Sequence, residues 1–289
     1  MSIQLNGLHL SDINLQISSL EASLKFYTEV LGLKVIKLDG KSVKLSATGK
    51  SPAQITLIFN EGAIEKPYKT TGLYHVAIRL PNRLELAKTL KHLLKYQWPL
   101  YGLSDHTVSE AIYLCDPDEV GIEIYADKDP TADYSNNLSL AMATTTLMAN
   151  ELLVELEDKV YCWEGIHPST DIGHIHLQVS DLQRSKSFYS DVLGFKVTQE
   201  RYPGAVFLAA GGYHHHIAIN TWGCEGASHP PVNSVGLKSY SIMIKAKDTI
   251  YAIANKLKEL DYDFEVTEYD NDITLQLLDP DENLLRIKT

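Results

Sequence analysis

The chain reads as an α+β protein made of four βαβββ modules, and three features of the sequence carry that reading. Residues 10–35 (LSDINLQISSLEASLKFYTEVLGLKV) align without a gap on residues 172–197 (IGHIHLQVSDLQRSKSFYSDVLGFKV), and half of the positions are identical. A second repeat starts at Gly72 (GLYHVAIRLPNRLELAKTLKHLL) and at Gly236 (GLKSYSIMIKAKDTIYAIANKLKEL), and each copy leads to a DPDE element, at Asp116 and at Asp279. After each helical stretch come about three short apolar runs separated by polar turns, which suits strands.

In chain order, the first repeat opens on a strand. Ile13, Leu15 and Ile17 alternate with polar residues, as do Ile175, Leu177 and Val179 in the second copy. An amphipathic helix follows, and Gly32 or Gly194 stands where a helix end favours a left-handed residue. Apolar runs at 33–37, 42–46 and 54–59 complete the first module. The modules fall at about 8–62, 70–127, 170–224 and 234–289. Residues 1–128 and 170–289 are thus two homologous halves, and 129–169 is a connector, polar at first and helical through 148–156.

Composition narrows the function. A formal charge of -11 argues against nucleic acid and anionic membrane surfaces as partners. No apolar run has the length of a transmembrane helix, and the opening MSIQLNGLHL lacks the pattern of a signal peptide. Cys115, Cys162 and Cys224 are few and widely spaced, which points to a reducing cytoplasm and excludes a cysteine zinc cluster. Exposed sheet edges leave room for a homo-oligomer.

Chemistry gathers where the repeats differ. His174 stands where the first module has Asp12; His75 and Glu123 stand where the fourth has Ser239 and Arg286. Glu123 lies in the strand-like GIEIY, and a carboxylate among β-branched neighbours is costly to bury without a partner. Two imidazoles and one carboxylate form the facial set that suits non-haem Fe(II), with Mn(II) also acceptable. Each residue alone has a plainer reading, as a packed histidine or a solvent-facing glutamate; their joint occurrence at matched repeat positions favours a metal site. His106 and Tyr113 precede Glu123 in its module and are candidates for the same cavity. In the run 213–216, strand parity puts His215 with Ile217 and Ile219, and His214 and His216 with Ala218. His9, His92, His167, His176 and His229 have no repeat-based argument and read as structural or surface residues.

The fourfold plan and the phrases GHIHLQVSDL, SFYSDVLGF, GLYHVAI and HTVSEAIYLCDPDEVGIEIY resemble the vicinal oxygen chelate superfamily, and within it the extradiol ring-cleaving dioxygenases of the catechol 2,3-dioxygenase type. The resemblance covers nearly the whole chain. It implies two cup-shaped mixed β-sheets flanked by helices, with metal ligands at His75, Glu123 and His174, an acid–base histidine at His215, and substrate-contacting roles for His106 and Tyr113. The implied reaction is Fe(II)-dependent extradiol (meta) cleavage of a catechol, or a substituted catechol or hydroquinone, by O2 to a muconic semialdehyde-type product. Trp222, Phe207 and Tyr125 are candidates for the pocket wall. Two departures stand out. The glycine usual after Asp-Pro-x is Glu119, and the ligands fall in the second and third modules rather than the third and fourth. Modules 2 and 3 are therefore expected to build the active cup, and 1 and 4 an inactive one. A glyoxalase-type lyase or isomerase, usually richer in carboxylate ligands, and a metal-free binding protein are the alternatives within the superfamily.

Overall fold

The computed structural model describes residues 3–134, 143–270 and 272–289; the part of the connector over 135–142 lies outside the described residues. Module 1 runs β1 (His9–Ile17), α1 (Leu20–Lys25), β2 (Lys34–Asp39), β3 (Ser42–Ser46) and β4 (Ile55–Phe59). Module 2 runs β5 (Gly72–Leu80), α2 (Arg83–Tyr96), β6 (Gly102–Asp105), β7 (Ser109–Cys115) and β8 (Gly121–Asp127). The connector adds β9 (Thr145–Thr146) and α3 (Ala149–Leu153), the latter extended by a tighter turn over Val154–Leu156. Module 3 contains β10 (Asp171–Gln178), α4 (Leu182–Ser187), β11 (Lys196–Gln199), β12 (Ala205–Ala209) and β13 (Ile217–Asn220). Module 4 contains β14 (Gly236–Met243), α5 (Lys247–Glu259), β15 (Phe264–Tyr269), β16 (Asp272–Leu278) and β17 (Leu284–Lys288).

Within every module the first strand lies parallel to the last: β1 with β4, β5 with β8, β10 with β13, and β14 with β17. The modules then join through their first strands. β5 runs antiparallel to β10, and β1 antiparallel to β14, so module 2 shares a sheet with module 3 and module 1 with module 4. The two cups meet at a bridge between Leu10 and Ile172. Alternation decides what each strand buries. Ile13, Leu15, Ile17, Ile175, Leu177 and Val179 enter the main core, while the opposite faces of β5, β8 and β10 turn into their cup.

The helices depart from the simple amphipathic expectation in one matched way. α1 is capped by Ser19 and α4 by Asp181, whose side chains accept from the amides of Ala22 and Arg184. Both then widen into π-helical turns, over Phe26–Val30 and Phe188–Val192, before Gly32 and Gly194 take positive φ. The widened turns carry Tyr27 and Tyr189, whose buried phenols need partners and find the DPDE elements. Tyr27 donates to Asp116 Oδ2 at 3.0 Å and Tyr189 to Asp279 Oδ2 at 2.6 Å. The other oxygen of each aspartate closes its own turn: Asp116 accepts from the amides of Asp118 and Val120, and Asp279 from those of Asp281 and Asn283. Asp118 and Asp281 in turn accept from the amides of Ser18 and Ser180 at 3.0 and 2.8 Å. These bonds tie module 2 to 1 and module 4 to 3, across the grain of the sheet pairing. The turn forms without its usual glycine because Glu119 and Glu282 take the left-handed conformation, at φ 60° and 65°. Among the described residues, no helix is long and apolar enough to cross a membrane.

Candidate metal centre

Ala77 is the pivot of the site. On one side of it β8 runs parallel with Glu123 in register, and on the other β10 runs antiparallel with His174 in register. Ala77 is fully buried and too small to fill the gap between these neighbours. His75, two residues earlier on the same face of β5, projects into that gap. His75 Nε2 lies 3.0 Å and His174 Nε2 3.2 Å from Glu123 Oε2, and the two imidazole nitrogens are 3.4 Å apart. All three residues are buried, and their donor atoms fall within 4.8 Å of one another. Among the described residues they form the one such group of histidine, cysteine or carboxylate donors.

Burial alone would raise the Glu123 pKa, but His174 and then His75 beside it hold it well below the usual carboxylate range. Burial pushes His174 down to about 4, against the pull of Glu123, so its imidazole is neutral at neutral pH. No lysine or arginine pairs with Glu123 among the described residues. A buried carboxylate beside the neutral His174 imidazole, with no lysine or arginine partner, lacks the positive charge that would offset its desolvation. A divalent cation held by the three donors supplies it, so the residues fit a metal.

His215 lies against this set, its ring centroid 4.1 Å from that of His174. Its Nδ1 is 2.7 Å from His214 Nδ1, and His214 Nε2 is 2.9 Å from Asp127 Oδ1. Tyr213 donates to both Asp127 oxygens at 3.1 Å and pairs with the Tyr125 hydroxyl at 2.6 Å. Tyr125 packs on His174 with ring centroids 5.1 Å apart, so it supports the ligand from behind instead of lining a substrate wall. Its hydroxyl fills the space a side chain at Gly173 would need, 1.8 Å from the ideal Cβ position. Burial, and secondarily His174, pushes the His215 imidazole well below its ordinary pKa. On the other flank His106 Nε2 and the Tyr113 hydroxyl are 2.6 Å apart, and His106 Nδ1 is 3.1 Å from Thr144 Oγ1. Burial lowers the His106 pKa, and burial followed by nearby Glu123 raises that of Tyr113 well above its usual value.

Of the structural or surface alternatives for His176 the structure takes the first: it is buried, its ring lies 4.8 Å from that of His75, and Asn220 Nδ2 meets its Nε2 at 2.8 Å. Strand parity held the signal, since positions 174 and 176 share a face. Parity misleads for His215, because β13 begins only at Ile217 and residues 213–216 form a loop. His215 therefore meets Phe207, which packs with Ala218 on the cup face, while Ile217 and Ile219 lie in the core. No repeat-based argument reaches Asp127 or His214, although Asp127 follows Glu123 by four residues and so shares its face of β8. A cleft of about 1340 Å3 reaches the centre at His75 and Tyr113, with Tyr74, Gln178 and Trp222 also in its lining.

Fold and site together define a metal-binding member of a large family. Residues 9–124 and 171–287 match the family model of the Glyoxalase/Bleomycin resistance protein/Dioxygenase superfamily, and the chain belongs to that superfamily. It is 41% identical over 267 residues to the Catechol-2,3-dioxygenase of Bacillus subtilis (strain 168), an alignment that covers 90% of this chain and 91% of that protein. Solved structures share the fold at low identity. A provisionally named dioxygenase from Bacillus subtilis subsp. subtilis str. 168 superposes with a TM-score of 0.66 at 13% identity, over 100% of this chain and 85% of its own. Glyoxalase I from Zea mays gives 0.60 at 16% identity, over 98% of this chain and 92% of its own.

Proposed function

We propose that the chain is an Fe(II)-dependent extradiol dioxygenase that cleaves a catechol, or a substituted catechol or hydroquinone, with O2 to a muconic semialdehyde-type product. The observation that carries this is the buried convergence of His75, Glu123 and His174 with His215 packed on its edge. The 41% identity to a Catechol-2,3-dioxygenase supports it. No second carboxylate joins the set among the described residues, which favours this reading over a glyoxalase-type lyase. The active cup is that of modules 2 and 3, drawn from both halves of the chain, and three free cysteines suit a cytoplasmic setting.

His75, Glu123 and His174 would hold the metal, which when bound would lower the pKa of a diol hydroxyl and bring diol and dioxygen together. The chain's own residues govern the protons. Asp127 accepts from His214 Nε2–H, which leaves His214 Nδ1 bare. That atom accepts from His215 Nδ1–H, so His215 keeps an unprotonated Nε2. Its depressed pKa keeps the imbalance at neutral pH, and His215 Nε2 takes a proton from the diol and later returns it to the departing oxygen. Tyr113, kept protonated by burial and the nearby Glu123 and oriented by His106, hydrogen-bonds the developing oxygen charge. Phe207 and Trp222, around His176, wall the cup and hold the ring.

Anaerobic reconstitution with Fe(II), then addition of catechol and air, tests the proposal. The wild-type chain is expected to bind iron and give a yellow product near neutral pH, and Glu123→Ala to give neither. Mn(II) reconstitution in parallel decides the metal. Bound iron without product from any diol would transfer the chain to another reaction, and a wild-type chain that binds no metal would overturn the site.

A further inference from the structure

We infer that Lys66 is a recognition point for an anionic substituent on the diol, so that the substrate is a catechol bearing a carboxylate or similar group on a short arm. The inference rests on the dioxygenase reading above and deepens it.

Lys66 lies in the link before β5 and is partly buried in the lining of the cleft that reaches His75. Its Nζ donates to Gln178 Oε1 at 2.9 Å and to the Leu73 carbonyl at 3.3 Å. Both acceptors are uncharged. Among the described residues no carboxylate lies within ion-pair distance of it, although Asp and Glu outnumber Lys and Arg by 37 to 26. Glu65, Asp118, Glu119 and Glu282 share the cleft lining with Lys69 and Lys238, but no carboxylate pairs with Lys66; Asp118 accepts from the Ser18 amide and Glu119 from the Tyr101 hydroxyl at 2.9 Å. Cys224 is the neighbouring titratable group, and burial raises its pKa, so it brings no negative charge. An ammonium has three donors, and two are used here. A half-desolvated cation with one donor free and no counter-ion is costly unless a ligand completes it.

Its place fits such a ligand. Leu73 precedes His75 by two residues, and Gln178 follows His176 by two, while the His75 and His176 rings are 4.8 Å apart. Two residues of strand rise about 6–7 Å. A ring bound with its diol at His75, Glu123 and His174 can therefore direct a two-carbon arm along β5 toward Lys66. Tyr74 and Trp222, packed edge to face with ring centroids 5.5 Å apart, belong to the same cleft lining. Burial lowers the lysine to about 8, which still leaves it mostly cationic at neutral pH.

The test compares 3-(3,4-dihydroxyphenyl)propanoate with 4-propylcatechol, which matches its length without the charge. Binding of each to the metal-loaded protein is measured anaerobically by calorimetry, so that no turnover is needed. The wild-type chain is expected to bind the propanoate at least about tenfold more tightly, as a charge-assisted hydrogen bond permits. Lys66→Met should erase that preference and leave 4-propylcatechol binding within about twofold, and Lys66→Arg should keep most of the preference. Equal binding of the two diols by the wild-type chain, or a preference that survives Lys66→Met, overturns the inference while the dioxygenase reading stands. If neither diol binds the metal-loaded wild-type chain, both fall together.

Discussion

Asp127 touches none of the three proposed ligands, yet two hydrogen bonds connect it to His215, the proposed proton acceptor. In Asp127→Asn the amide nitrogen can donate to His214 Nε2, which forces the proton of His214 to Nδ1 and that of His215 to Nε2. The base then presents a proton where it must accept one. The expected loss in kcat is about 10²–10⁴-fold, the range assigned to general acid–base catalysis, with bound iron unchanged. Iron content falling in step with kcat would instead make Asp127 a support of the ligands. A change at Gly173 acts on the ligands directly, since an added Cβ must displace Tyr125 from behind His174. Gly173→Ala should cost about 1–3 kcal/mol of stability as overpacking and loosen metal binding, read by thermal melting and by metal titration. At this scale the sequence was partly legible. His75, Glu123 and His174 stood out because their repeat partners carry different chemistry. His214 and Asp127 did not, because their roles come from a contact between modules 2 and 3 that no local pattern records.

The elements were legible to the extent that one period explained them. Alternation located the strands, and Gly32 and Gly194 located the ends of the first helix in each half. The π-helical turns were hidden because they answer to a distant requirement, a partner for the phenols of Tyr27 and Tyr189. The Asp116 that serves Tyr27 makes this interlock measurable. Burial raises its pKa from 3.8 to about 6, and its hydrogen bonds from Val120, Tyr27 and Asp118 only partly offset that. A carboxyl with a raised folded-state pKa binds more protons folded than unfolded between about pH 4 and 6. Its contribution to stability is therefore full below the unfolded pKa and is lost as pH rises through that window. A shift of this size corresponds to about 3 kcal/mol as an upper bound. Asp116→Asn keeps an oxygen for the amides of Asp118 and Val120 and offers its NH2 to the Tyr27 oxygen. Denaturant melts of both proteins from pH 4 to 7 should show the variant gaining on the wild-type chain as pH rises. A constant difference would mean that Asp116 titrates normally.

At the scale of the whole molecule, two cups of one architecture carry unequal chemistry, and the register explains why. Ser241 faces Asp12 on one side and Arg286 on the other, as Ala77 faces His174 and Glu123. The cup of modules 1 and 4 thus presents Asp12, Ser239 and Arg286 at the three ligand positions. Arg286 donates to Ser239 Oγ at 2.5 Å and to Gln276 Oε1 at 3.0 Å, and Lys288 pairs with Asp12 at 3.0 Å. A cation stands where the carboxylate would be, and the one acid present already has a partner, so a metal would meet repulsion there and no free donor set. The chain should therefore bind one metal, with Glu123→Ala binding none rather than half. Arg286→Ala should keep the single metal and full activity while losing about 1–2 kcal/mol of stability through its hydrogen bonds. Elemental analysis of the three purified proteins checks this together with their melting curves. Two metals in the wild-type chain, or a metal retained by Glu123→Ala, would show that the second cup binds despite Arg286. One metal in both the wild-type chain and Arg286→Ala, with none in Glu123→Ala, would place the metal where modules from the two halves meet. Neither half alone then carries the three ligands, because His75 and Glu123 come from one and His174 from the other.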